Sequence, residues 1–105
     1  MKRGEVRWYT FEKPDKSRPV VILTRDSILP YLGEVTVAPV TSTLRDIPSE
    51  VVLGKADGMP KACAVNCDHL QTVAQVRIGS LITSLSRGRL REIRAAVAFA
   101  LALNE

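Results

Sequence analysis

The sequence predicts a mainly β fold with one C-terminal helix, in the form of a small, strongly bent β-barrel. Five or six short apolar runs at close spacing, separated by turn residues, are typical of barrel strands. The last quarter of the chain instead has apolar residues at helical spacing. A chain of 105 residues can enclose one core of ordinary size. We therefore expect a single domain over residues 1–105.

Three strands are predicted in the first half of the chain. Residues 5–12 alternate loosely and lead into a Lys-Pro-Asp-Lys-Ser turn, and residues 20–24 form a β-branched run typical of a strand buried on both faces. Residues 26–32 have the composition of a single helical turn. The third strand is predicted over residues 34–41. Because Pro39 cannot donate a backbone hydrogen bond, that part of the strand is expected at a sheet edge or a bulge.

Further strands are predicted over residues 49–53, 62–67 and 78–83, followed by the helix. Ser86 is the expected N-cap. The apolar positions at helical spacing behind it are Leu90, Ile93, Val97, Ala100 and Leu101. Residues 95–103 are apolar all round if helical, and one barrel can cover only one side of them. We expect the other side to meet a second subunit in a symmetric homodimer.

The net charge of +4 is concentrated at the start of the chain. Residues 1–25 contain seven Lys or Arg against three acids, which favours a polyanionic partner such as a nucleic acid. A solvated basic face without a partner is the alternative that charge alone leaves open. The chain starts without a secretory pattern, and its longest apolar run is far shorter than the ~20 residues of a membrane span. These features predict a cytoplasmic protein.

The segment Cys-Ala-Val-Asn-Cys-Asp-His at 63–69 raises the question of a metal site. On a strand, Cys63 and Cys67 would lie about 13 Å apart at about 3.3 Å per residue, too far for one zinc ion or for a disulfide. On a helix the two could meet, but the segment is short and ends in a polar break. We expect two buried, reduced thiols and no metal or cofactor.

A cluster of phosphate-binding groups is predicted at one end of the sheet. If strands 18–24 and 34–41 pair antiparallel, residue 18 lies opposite residue 41. The side chains that would gather there are Arg18, Thr41, Ser42, Thr43, Lys13 and Lys16. A guanidinium, lysines and hydroxyls suit a phosphate group. The alternative is that Arg18 pairs with an acid and the hydroxyls serve an ordinary turn. A metal-dependent nuclease is disfavoured because the acids of the chain are dispersed.

Four segments, in order, resemble the MazF/PemK (Kid) toxin family. The matching segments are RGEVRW at 3–8, SRPVVI at 17–22, VAPVTS at 37–42 and NCDHLQTV at 66–73. The resemblance implies a compact SH3-like barrel with helices that dimerises and acts as the toxin of a type II toxin–antitoxin pair. It also implies metal-independent cleavage of single-stranded RNA at short sequences, with 2′,3′-cyclic phosphate and 5′-hydroxyl ends. An acidic, MazE-like antitoxin would hold it in check.

The resemblance also assigns roles residue by residue. Arg18 matches the family's catalytic arginine, and Thr41 matches its catalytic threonine. The expected substrate contacts are Ser42, Asp68, Lys13, Lys16, Thr43 and Arg45. Two departures are that His69 replaces the usual Gln and that Asn66 stands where one branch has Arg, so the cleavage sequence is left open. The alternative function is a non-catalytic binding protein on the same fold, such as a CcdB-like topoisomerase poison.

Overall fold

The computed structural model describes residues 1–11 and 16–105, so the predicted contact Lys13 lies outside the described residues. The described residues form seven strands and one α-helix. The strands are β1 Glu5–Thr10, β2 Ser17–Ile22, β3 Glu34–Thr41, β4 Glu50–Leu53, β5 Cys63–Asn66, β6 Gln71–Ala74 and β7 Ile78–Ser84. The helix α1 is Arg87–Ala100, and short 3₁₀ turns occupy Lys55–Asp57, Cys67–His69 and Gln75–Arg77.

All recorded strand pairs are antiparallel and belong to one seven-stranded sheet. The strand order is β4-β5-β3-β2-β1-β7, with β6 pairing to the first half of β3. The mainly β fold with a C-terminal helix is confirmed. The sheet is not closed, however, because its outer strands β4 and β7 do not pair with each other. The predicted barrel is therefore a loose one.

The centre of β2 is buried on both faces of the sheet, as the sequence predicts. Val20, Val21 and Ile22 are fully buried. Val21 packs in the cluster that contains the helix residues Ile93 and Ala96, whereas Val20 and Ile22 pack on the opposite side. Burying each such side chain stabilises the fold by about 1.5–3 kcal/mol. The two clusters thereby fix β2 and its neighbour β3 in the middle of the molecule.

The prediction for Pro39 is wrong, because β3 is an interior strand. Pro39 pairs with Val20 of β2 on one side. On the other side, β3 pairs with β6 up to Val37 and with β5 from Val40 onwards. Pro39 thus lies at the break where β3 changes partner. A residue without a backbone N–H is tolerated at that break.

Two other local predictions also need correction. Residues 26–32 form hydrogen-bonded turns rather than a helix, with the N–H of Leu29 bonded to the carbonyl of Asp26 at 3.3 Å. Strand β6 was not predicted at all. The segment has a single buried residue, Val73, and therefore lacks the alternation that identifies a strand.

The C-terminal helix begins as predicted. The Ser86 hydroxyl accepts a hydrogen bond from the N–H of Arg89 at 3.2 Å, and Ile93 faces the core. Leu101 differs from the prediction, because it follows the helix and is 54% exposed. In the parts of the chain that the structure describes, no helix has the length and apolar character needed to cross a membrane.

Candidate functional site

The candidate site lies where β2 and β3 leave the core together. The two strands pair with Val20 opposite Pro39 and Ile22 opposite Val37. Arg18 and Thr41 each lie two residues beyond the last of these pairs, Arg18 before Val20 and Thr41 after Pro39. Both residues line the same cavities. Since the buried run ends at Val20, Arg18 projects from a rigid strand into solvent-exposed space.

Two cavities meet at this pair of residues. The first, which we call the polar slot, has a volume of about 470 Å³, and its distinctive lining residues are Arg45, Asn66, His69 and Gln71. The second, the tryptophan slot, has a volume of about 400 Å³, and its distinctive lining residues are Trp8, Ser42, Pro60 and Lys61. Both slots share the side chains of Lys16, Arg18, Val40 and Thr41. Arg18 and Thr41 therefore form the boundary between them.

The two slots are electropositive. Lys16, Arg18, Arg45 and Lys61 line them, and among the described residues no carboxylate does. Arg45 is the only one of these four with a recorded ion pair, a loose one of 3.4 Å to Glu50. The other three cations form no ion pair with any residue at 1–11 or 16–105. An anion would meet unneutralised charge here, so the alternative in which Arg18 pairs with an acid has no support from the described residues.

The Thr41 hydroxyl takes part in the turn that follows β3. Its Oγ1 accepts a hydrogen bond from the N–H of Thr43 at 3.1 Å, which leaves its hydrogen free to donate towards the slots. Ser42 lines the tryptophan slot, and Thr43 lines the polar slot. Turn chemistry and phosphate binding are therefore compatible, because the turn uses one lone pair of the hydroxyl and not its hydrogen.

Asp68 is the predicted contact that the structure does not bring to the slots. Its carboxylate accepts a hydrogen bond from the hydroxyl of buried Ser49 at 2.5 Å. Its backbone N–H bonds to Oδ1 of Asn66 at 3.1 Å. Asp68 lines neither cavity. In this arrangement it holds the 3₁₀ turn that follows β5, and its predicted contact with substrate stays a prediction.

Asn66 and His69 line the polar slot and were not among the predicted site residues. The Nδ2 of Asn66 lies 3.2 Å from Nδ1 of His69. Because Oδ1 of Asn66 already accepts from Asp68, its Nδ2 must donate to the histidine, and the neutral imidazole therefore has its hydrogen on Nε2. The sequence signal was present: polar Asn66 ends a strand that is otherwise apolar and entirely buried.

Both cysteines are free and buried, as predicted. Burial, and to a smaller extent the nearby charge of Asp68, raises the pKa of the Cys67 thiol from 9.0 to about 11. Burial also raises the pKa of Cys63, with a smaller contribution from Asp57. The thiols stay neutral near pH 7 and are poor nucleophiles there. Across residues 1–11 and 16–105, no three His, Cys, Asp or Glu side chains cluster as metal ligands would.

Comparison with known proteins identifies the family. Residues 2–101 match the model of the PemK-like, MazF-like toxins of type II toxin–antitoxin systems. The chain belongs to this toxin family. Similar relatives of the family include endoribonuclease MazF3 of Mycobacterium tuberculosis, 43% identical over 68 residues that span 65% of this chain and 66% of that protein. Another is the probable endoribonuclease MazF5 of the same species, 42% identical over 88% of this chain and 80% of that protein.

Solved structures of the family share the fold. The Mycobacterium tuberculosis toxin MazF-mt6 superimposes with a TM-score of 0.86 at 32% identity, over 93% of this chain and 96% of that one. A mycobacterial endoribonuclease solved in complex with its cognate antitoxin gives a TM-score of 0.88 at 24% identity, over 98% and 96% of the two chains. The resemblance read from the four sequence segments is confirmed.

Proposed function

We propose that this protein is an endoribonuclease toxin that cleaves single-stranded RNA at short specific sequences without a metal ion. The observation that supports it is that Arg18 and Thr41, at the ends of the paired strands β2 and β3, both line the two electropositive slots. Its relatives MazF3 and MazF5 are named as an endoribonuclease and a probable endoribonuclease. A polyanion bound across the boundary of the slots would have one phosphate at the Arg18–Thr41 pair.

The proposed reaction needs only groups that RNA, water and this site supply. The 2′-oxygen attacks the adjacent phosphorus, so that a 2′-O–P bond forms and the P–O5′ bond breaks. Water takes up the proton of the 2′-hydroxyl and returns one to the departing 5′-oxygen, which gives a 2′,3′-cyclic phosphate and a 5′-hydroxyl. Negative charge increases on the phosphoryl oxygens in the transition state. The guanidinium of Arg18 and the hydroxyl hydrogen of Thr41 stabilise that charge.

The remaining predicted residues are proposed to hold the strand on either side of this phosphate. Lys16 borders both slots, so its charge can serve phosphates on both sides. Ser42 is placed for the tryptophan slot, and Thr43 and Arg45 are placed for the polar slot. Lys13 belongs to the same proposal. Neutralising several phosphates in this way makes the affinity fall with added salt.

The test is to incubate the purified protein with mixed RNA in EDTA and to map the new 5′ ends. We expect cleavage at a short recurring sequence, with ends that can be ligated only after phosphorylation by a kinase. DNA of the same sequence should stay intact, since it lacks the nucleophile. A strict requirement for added Mg²⁺, or 5′-phosphate ends, would refute the mechanism. Binding without any cutting would instead favour the non-catalytic alternative.

We also propose that a cognate antitoxin inhibits the protein by occupying the same electropositive surface. A segment able to compete with RNA beside Lys16 and Arg18 should be acidic, with a few apolar anchors, and should become ordered as it binds. Its affinity should fall with salt less steeply than that of RNA, because apolar contacts are not screened. The antitoxin tail and a short oligonucleotide are titrated against each other on the toxin. Simultaneous binding at full affinity would exclude a shared site.

The homodimer is proposed from the surface of the C-terminal region. Phe99, Leu101 and Leu103 are 59%, 54% and 64% exposed. Three large apolar side chains so close together in sequence are a typical interface signal. We expect light scattering at micromolar concentration to give twice the chain mass of 11.5 kDa. A monomer under those conditions would contradict the proposal.

A further inference from the structure

The two slots differ in the chemistry of their walls, although they share Arg18 and Thr41. Both volumes, about 470 and 400 Å³, lie within the range of small-molecule sites, about 300–1,000 Å³, so each slot has room for a nucleotide. The tryptophan slot is lined by an indole and prolines. The polar slot is lined by two amides and an imidazole. A strand with its scissile phosphate between them would place one base on each side.

Trp8 is oriented into its slot by an irregularity of β1. Along this strand Val6 and Tyr9 are buried, so the simple alternation fails between them, and Trp8 is left 41% exposed. The register of β1 with β7 shifts on both sides of Arg7, which is the signature of a bulge. Gly79 permits the close approach of β7, since a Cβ there would lie 3.0 Å from the Trp8 carbonyl oxygen. An exposed aromatic ring beside cations is the usual platform on which bases stack, whatever their identity.

The polar slot has hydrogen-bonding groups with fixed roles. Asn66 is 8% exposed; its Oδ1 accepts a hydrogen bond from the N–H of Asp68, and its Nδ2 donates one to Nδ1 of His69. The bond to Nδ1 orients the His69 ring and leaves Nε2–H as a donor towards the slot. The exposed amide of Gln71 adds both a donor and an acceptor to the same slot. Such groups read the edge of an unpaired base.

We propose that the two slots are the nucleotide subsites on either side of the scissile phosphate, and that only one of them selects the base. The tryptophan slot holds its base by stacking on Trp8 and accepts all four. The polar slot reads its base through His69 and Gln71, with Asn66 as the positioning residue for His69. This inference rests on the proposed function, because it takes RNA as the ligand.

The first test uses the intrinsic fluorescence of Trp8, the only tryptophan in the chain. The probe is a fluorescein-labelled 12-nucleotide 2′-O-methyl RNA of mixed sequence, which has no free 2′-hydroxyl and cannot be cut. Binding is followed by anisotropy of the label, and stacking is followed in parallel, with an unlabelled copy, by quenching of the indole emission. The control is the same backbone with abasic residues throughout. We expect quenching that saturates together with binding, and no quenching from the abasic control at saturation.

The outcomes separate the two proposals. Binding with unchanged Trp8 emission, or equal quenching by the abasic control, refutes the subsite assignment but leaves the endoribonuclease proposal intact. No change in anisotropy with either probe refutes the proposed function and the subsites with it. The native protein is used throughout, so a variant that fails to fold cannot obscure the answer.

The second test compares variants by mapping all cut sites in mixed RNA. Trp8→Ala should weaken binding about 5- to 150-fold at every site and leave the base preference unchanged, while Trp8→Phe retains most of the affinity. His69→Ala and Asn66→Ala should each lower the preference at one base position about tenfold. His69→Gln restores an amide N–H near the place of Nε2 and should recover part of that preference. A changed preference in Trp8→Ala, with none in His69→Ala, overturns the assignment.

Discussion

Removing the guanidinium at the end of β2 is the most direct test of the proposed chemistry. Arg18→Ala is expected to lower the single-turnover rate of RNA cleavage by about 100-fold or more. A factor of 100 corresponds to about 2.7 kcal/mol of transition-state stabilisation, the scale found when one preorganised charge-stabilising donor is deleted. Arg18→Lys should recover little, since an ammonium cannot bond two phosphoryl oxygens in the planar geometry of a guanidinium.

The structure predicts that stability and activity separate in this variant. Arg18 is exposed and forms no ion pair with any described residue, so its removal leaves no buried charge unpaired. The free energy of unfolding in urea should change by no more than about 0.5 kcal/mol. Arg25→Ala is the matched control, because Arg25 is an exposed arginine beyond the other end of β2, outside both slots. Unchanged cleavage in Arg18→Ala would remove this residue from the mechanism. An equal loss of cleavage rate in Arg25→Ala would show that the loss comes from the lower net charge and not from the position of Arg18.

Three further predictions concern the scaffold and are measured by urea unfolding. Ser86→Ala removes the N-cap of the helix and should lower the free energy of unfolding by about 1 kcal/mol. Ser86→Asp should retain most of the stability that the cap provides. Gly58→Ala should lower the free energy of unfolding by about 2 kcal/mol or more, because φ of Gly58 is +89° and the new Cβ would lie 2.3 Å from Oγ1 of Thr83. A loss under about 0.5 kcal/mol would show that this strain is absent. Since the pKa of Cys67 is raised from 9.0 to about 11, only the unfolded chain forms this thiolate between those values. Stability should therefore fall as the pH rises from about 9 to 11, and Cys67→Ala should lack that part of the slope.

The sequence predicted the buried central strands better than it predicted the rim of the molecule, by which we mean the outer strands, the strand ends and the turns. The run at residues 20–24 predicted a strand buried on both faces, and Val20, Val21 and Ile22 are fully buried. The antiparallel pairing of β2 and β3 was also predicted, because strands that follow one another along the chain are usually neighbours in a sheet. An apolar run in the sequence indicates a buried strand directly, and the register of two such strands is set by which of their side chains must be buried.

The rim depends on contacts that no local pattern records. Strand β6 contains only one buried residue, so it forms because β3 offers it a free edge and not because of its own alternation. Pro39 was assigned to an edge or a bulge because the sequence cannot show that β3 exchanges β6 for β5 at that point. His69 is absent from the predicted site residues, because its bond to Asn66 exists only once residues 67–69 turn after β5.

The same division between centre and rim explains how one fold can keep the geometry of the proposed catalytic pair while its preference for RNA bases changes. Arg18 precedes the core residue Val20 by two positions and Thr41 follows the core residue Val40 directly, on strands that are paired on both sides. Their relative position is therefore set by packing, which resists displacement. The walls of the slots include Trp8, from an irregular part of β1, and His69, from the turn after β5, and both of these side chains are exposed. Substitutions at those walls can alter which bases fit, while the facing pair at the boundary keeps its geometry.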